Sequence, residues 1–227
     1  MRERRRILER DNAAMREALN ELLEKLDLAY EQSDIKNYCI KHGHQWYYSL
    51  VISEMIKNNP LIVGFNWGAK MGNSYEAQTE IEKKGFKDVD TGSLARIAPL
   101  CHQYFDDSFL ESASQTNYCL FRSYKEYQIT RHDIELCEPI FNELITALQP
   151  SILLSFSSKL RDYLLLNHKI SDLQLKNIEF LSGSRKVIYI ATKGRLGEAP
   201  ILCLPHPMYQ MKSDARQAAW EFCCLGQ

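Results

Sequence analysis

Apolar residues recur at helical spacing along the first thirty positions. Leu8, Met15, Leu19, Leu22 and Leu26 stand seven, four, three and four apart, which places them on one face of a helix over residues 2–32. A second helix is expected over about 43–58, ending at the Asn-Asn-Pro of 58–60. The pattern then changes. "PLIVGF" (60–65), "TNYCLF" (116–121) and "SILLSF" (151–156) are short, apolar and bounded by turn formers, as strands buried on both faces are. "KVIYIA" (186–191) and "APILCL" (199–204) are joined by the glycine-containing "TKGRLGE", which predicts a hairpin. Helical patterns cover 93–106, 132–148 and 158–167. Strands alternating with helices predict an α/β fold, with three layers, α/β/α, around a central and mostly parallel sheet of about four strands. Residues 33–42 are the one boundary the pattern offers. They separate an N-terminal amphipathic helical extension (1–40) from an α/β domain (41–227).

Composition narrows the function classes. The chain has 227 residues, 25% of them charged, and a net charge of −1, which argues against a coat for nucleic acid but permits a local basic groove. Its apolar runs are too short to span a bilayer, so no membrane partner is expected. The start, "MRERRRILER", lacks the apolar stretch of a secretory signal. A cytoplasmic protein, nucleoid-associated in a bacterial host, is the expectation. Seven cysteines at 39, 101, 119, 137, 203, 223 and 224 form no C-x-x-C pair, so reduced thiols and no metal or iron–sulfur cofactor are expected. "HGH" (42–44) reads as a polar loop. Five arginines crowd the first ten residues, diluted by Glu3, Glu9 and Asp11. That helix is expected to pack on the body or to pair with a second copy as an oligomer contact, in preference to gripping phosphates.

In an open parallel sheet, ligands bind beyond the carboxyl ends of the strands. The residues that follow each apolar run are therefore the candidates. "GFNWGAKMGN" (64–73) follows the first, Asn117 lies within the second, "SSK" (157–159) follows the third and "PHPMYQM" (205–211) follows the last. His206 stands between Pro205 and Pro207, whose rings stiffen the chain and remove two backbone donors. Each piece alone has a plain structural reading: a surface histidine, a glycine turn, a satisfied buried amide, a helix cap. Their shared edge of the sheet is what makes them a candidate site.

With these residues in this order, the chain resembles the uracil-DNA glycosylase superfamily. It is most similar to the single-strand-selective monofunctional and mismatch-specific branches. The family's G-x-N-P-G turn reads "GFNWG" at 64–68, its strand asparagine is Asn117 in "TNYCLF", and its H-P-S reads "HPM" at 206–208; the match covers about 43–222. Trp67 stands in place of the motif proline, and Met208 in place of the serine that contacts a phosphate. Thr79 occupies the place of the ring that stacks on the base, which leaves Tyr75 and Phe86 as the nearest aromatics.

The resemblance implies a monofunctional DNA glycosylase that needs no cofactor and flips a base out of single- or double-stranded DNA. His206 is then the donor to the departing base, and Asn66 the holder of the attacking water. Asn117 reads the base edge, with Phe65, Tyr75, Phe86, Gly68 and Met71 around the base. Met208, Tyr209, Gln210 and Met211 form the loop that presses into the groove, with the wedge at Gln210 or, in its place, at Tyr209 or Met211. Ser157, Ser158 and Lys159 face the DNA, and Arg161, Lys193, Arg195 and Lys212 are further phosphate candidates. An amide at 117 can pair with uracil or, turned over, with a cytosine-type base. The substrate is thus uracil, or a modified pyrimidine such as a modified cytosine of viral DNA, which would give a defence role. A glycosylase fold that only binds DNA or a partner protein is the alternative. A nucleotide-handling enzyme of another family would want a phosphate loop, and none is present.

Overall fold

A computed structural model describes residues 2–80, 98–106 and 108–225, with side chains from Ala14 onward. Its strands are β1 (Leu61–Gly68), β2 (Ser114–Ser123), β3 (Leu153–Ser155), β4 (Ile170–Ser182), β5 (Arg185–Leu196) and β6 (Ala199–Cys203). Its helices are α1 (Arg2–Glu31), α2 (Asp34–His42), α3 (Ala98–Tyr104), α4 (Phe109–Ser112), α5 (Arg131–Leu148), α6 (Ser158–Leu166) and α7 (Ser213–Cys224). The strands form a six-stranded mixed sheet in the order β2-β1-β3-β6-β5-β4. The first four are mutually parallel, while β5 and β4 run antiparallel at one side. The sheet is therefore mixed and has six strands where about four were expected; the apolar runs mark five of them and miss β4. The expected hairpin is β5–β6.

Side chains alternate across the central strands, so each strand feeds two cores. Leu61, Val63 and Phe65 of β1, with Leu153 and Ile201, pack under α1, α5 and α6. Ile62, Leu154, Leu202 and Leu204 pack on the other face under Cys101 of α3, Phe109 of α4 and Trp220 of α7. Helices thus lie on both faces of the sheet.

The second expected helix is not formed. Residues 43–58 hold bridges from Trp46 to Tyr75 and from Tyr48 to Phe121, followed by bends and a turn. Trp46, Tyr48 and Leu50 are buried at a spacing of two, which is a strand's period and not a helix's. The helix lies one segment earlier, in α2, where Ser33 accepts from Lys36 N as N-cap and Gly43 closes the end at φ 69°. Buried Asp133 joins this corner to the body by accepting from Ile35 N (3.1 Å) and Thr130 N (2.8 Å). The second half of α1 belongs to the same core: Leu19, Leu22 and Leu26 are at most 3% exposed. Its apolar stripe is thereby spent within the chain. Of the expected helix at 93–106, residues 93–97 lie outside the described residues, and α3 is the described part.

Candidate functional site

The carboxyl ends of β1, β2, β3 and β6 share one edge of the sheet, and a pocket of about 340 Å³ opens there. Asn66, Asn117, Ser158 and His206 stand in its wall, with Phe156 and Gly64 between them. A larger cavity of about 670 Å³ lies near the β5–β6 turn, lined by Glu138 and Lys169. Those two charges already pair with each other. The smaller pocket is where unused polar chemistry gathers.

Asn66 sits where β1 breaks register with β2, between Asn66 and Trp67. Its Nδ2 donates to Trp67 O and to Ser123 Oγ, both at 2.9 Å. Because the Trp67 carbonyl can only accept, the nitrogen must face it, and Oδ1 is left as the free acceptor. Trp67 itself is 5% exposed, and its indole nitrogen donates to Ser49 O. The residue that replaces the motif proline thus anchors the turn from the core side. Arg122 lies over its ring.

Asn117 is 3% exposed and pairs in register with Gly64 of the neighbouring strand. Its amide finds no hydrogen-bond partner among the described residues. The residue lines the pocket, where a ligand edge of matching donors and acceptors can pair with the amide. Gly64 is required here by space and not by backbone angle. A methyl group added at 64 would lie 2.0 Å from Asn117 Oδ1.

His206 follows β6 on a loop fixed at its root by Leu204 N donating to Ser155 O (2.8 Å). Met208 N donates to His206 Nδ1 at 3.1 Å. A nitrogen that accepts carries no proton, so the neutral ring has its hydrogen on Nε2. Burial, and next the Arg216 guanidinium, hold the imidazole below its ordinary pKa, against a smaller opposing pull from Glu126. The site therefore presents an uncharged Nε2–H donor at neutral pH.

Ser157 caps α6 by accepting from Leu160 N (3.1 Å), and Ser158 stands beside it in the pocket wall. Lys159 donates to Glu126 O (2.7 Å) and lies 4.5 Å above the ring of Phe65, so it ties α6 to the 123–128 loop. Phe65 lines the pocket but is 3% exposed in the core. The other aromatic wall is Phe156, which directly follows β3 and which sequence reasoning passed over. Gln115 and Glu126 were missed as well, and both line the pocket.

Other expected residues fall outside it. Tyr75 turns its ring to the Arg122 guanidinium (4.9 Å) and accepts from Lys70 N (3.1 Å). Gly68 is the exposed last residue of β1, Met71 lies on the exposed turn that follows, and Phe86 lies outside the described residues. Met208, Tyr209 and Gln210 are exposed on the His206 loop, while Met211 packs against the core beneath. Arg161 is no phosphate contact: it is 8% exposed, bonded to Asp162 and Ile190 O. Arg195 pairs with Pro200 near the opposite end of β6, and Lys193 reaches Leu225 O, so neither joins the site. Lys212 stands at the start of α7. His42 bonds Tyr38 O and His44 stacks on Trp46, and no cluster fit to hold a metal occurs among the described residues. The seven cysteines are free thiols. No helix among the described residues is long and apolar enough to cross a membrane.

No protein-family model matches the chain, and no curated protein matches it.

Proposed function

We propose that the chain is a monofunctional DNA glycosylase of the uracil-DNA glycosylase type. The observation that carries this reading is the meeting of Asn66, Asn117 and His206 in one pocket at the carboxyl edge of the sheet. The three come from separate parts of the chain, and each presents the hydrogen-bonding group the reaction needs. A target base leaves its stack and enters the pocket, where Asn117 pairs with its edge. The C1′–N1 bond then breaks, its electron pair leaves with the base, and positive charge develops on the sugar. The Nε2–H of His206 donates to the base oxygen on which the negative charge collects. A preorganised donor of this kind contributes about 2.7–4 kcal/mol. Water held by Asn66 Oδ1 adds to C1′, and its proton passes to the departing base anion, which leaves as the neutral pyrimidine. A neutral amide is a weak base, so Asn66 acts by placing the water after the bond has largely broken.

The substrate is uracil or a modified pyrimidine. Pairing by Asn117 admits either, because no side-chain bond among the described residues fixes which way its amide faces. The test is base release from oligonucleotides carrying uracil or a modified cytosine. His206→Ala, Asn66→Ala and Asn117→Ala are measured beside the parent chain. Each is expected to lose release while still binding DNA. Equal release by all four chains would rule this site out.

A further inference from the structure

The loop that carries His206 is held by a residue ten positions further along the chain, on α7. Arg216 of α7 donates to Pro205 O (3.3 Å), to His206 O (3.1 Å) and to Tyr209 O (2.7 Å). A guanidinium has five donors in a rigid plane, and here it spends them on carbonyls that bracket one imidazole. The loop also folds on itself. Tyr209 N donates to His206 O, and Met211 N donates to Tyr209 O. The His206 and Tyr209 carbonyls each accept twice, and one donor in each case is Arg216. A charged group is being used where ordinary turn bonds would suffice for folding.

We infer that Arg216 is the positioning residue of the site, which fixes the 205–209 loop and thereby aims the Nε2–H of His206 into the pocket. This rests on the reading of His206 given above. The charge has a second effect. Protonating Nδ1 would break its bond from Met208 N and set a second cation beside Arg216. Arg216 therefore favours the one form of the ring that donates from Nε2 and accepts at Nδ1. The other groups that bear on His206 are few. Glu126, from the 126–128 turn, pulls the other way. Lys159 of α6 holds that turn by its main chain. Tyr189 of β5 faces Arg216.

Two variants separate aim from charge. Arg216→Lys keeps the charge but cannot span three carbonyls. Arg216→Gln keeps donors but loses the charge. The measurement is an NMR titration of the His206 ring in the full chain, assigned with His206→Gln, alongside the pH profile of base release. Arg216→Gln is expected to raise the His206 pKa, and to move the acid limb of base release to higher pH with it. Arg216→Lys is expected to leave that pKa near the parent value. It should lower the turnover rate roughly tenfold to a hundredfold, as a misaimed group does. An unchanged His206 titration in Arg216→Gln, or full turnover in Arg216→Lys, would overturn the inference. The titration needs no catalysis. If the parent chain releases no base, the glycosylase reading fails while the control of His206 by Arg216 is still decided. Thermal unfolding of both variants identifies a fold defect: if only Arg216→Gln folds its titration decides the question, and if only Arg216→Lys folds its turnover does.

Discussion

Gly64→Ala isolates the Asn117 amide from the rest of the fold. The glycine's backbone is ordinary, so an alanine there meets no conformational penalty. The obstacle is Asn117: the new methyl would lie 2.0 Å from Oδ1 and 3.2 Å from Cγ. Both distances are well inside contact, and one side must move. Asn117 is the part that gives, because its amide has no hydrogen bond to lose. The stability cost should therefore sit at the low end of the roughly 1–3 kcal/mol that overpacking a core entails. For a chain of this size that is a fall in Tm of about 2–4 °C per kcal/mol. Function should suffer far more, since a site built to hydrogen-bond its ligand discriminates steeply when that bond is lost. Base release from the preferred substrate should drop at least a hundredfold, close to the loss in Asn117→Ala. The decisive chain is the double variant. With Asn117→Ala in place the methyl has room, so adding Gly64→Ala should cost almost nothing in Tm. Neighbours that clash are not additive, and the double-variant cycle measures that coupling. If the double variant melts as far below Asn117→Ala as Gly64→Ala melts below the parent, the clash is not with Asn117. The reasoning about this pocket would then be wrong.

The remaining predictions concern catalysis, pH, DNA binding and stability. His206→Ala should lower the rate of base release about 10²–10³-fold, the range for removing one preorganised donor; steady-state kinetics at saturating DNA checks this. Because the His206 pKa lies below its ordinary value of about 6.5, activity should be level through neutral pH. It should fall only on the acid side of that value, as protonation removes the acceptor at Nδ1. Tyr127 is 80% exposed on the loop that also carries pocket-lining Glu126. Tyr127→Ala should weaken binding of a single-stranded oligonucleotide about tenfold, as loss of one stacking platform does, read by fluorescence anisotropy. Asp133→Ala removes the acceptor shared by Ile35 N and Thr130 N. It should cost about 3 kcal/mol in denaturant unfolding, since charge-assisted bonds contribute about 1.5–3 each.

Much of this architecture can be read from the chain because the parallel strands are buried on both faces. "LIV", "CLF" and "ILL" stand out as apolar runs whatever surrounds them. The same cue fails for β4, which is polar at most positions from Ser171 to Lys176 because that stretch is exposed on both faces. It fails again at 43–58, where Trp46, Tyr48 and Leu50 are buried by contact with Tyr75 and β2 and not by a helix face. In the site, Asn66, Ser158 and His206 were legible because each follows an apolar run at the carboxyl edge, and Asn117 because it matches the family's strand asparagine within its run. Phe156 carried the same signal. Arg216 carried none, since its meaning depends on where α7 returns over the loop at 205–209. Tyr75 was misplaced because spacing along the chain does not reveal that Arg122 takes its ring.

The central claim is that this pocket breaks an N-glycosidic bond. The most direct measurement is mass spectrometry of the products after the parent chain meets single-stranded and duplex DNA containing uracil or a modified cytosine. The account predicts a free pyrimidine base and an intact strand with one abasic site, with no strand break before alkali. DNA recovered unchanged from every substrate, with the protein bound to it, would contradict the account.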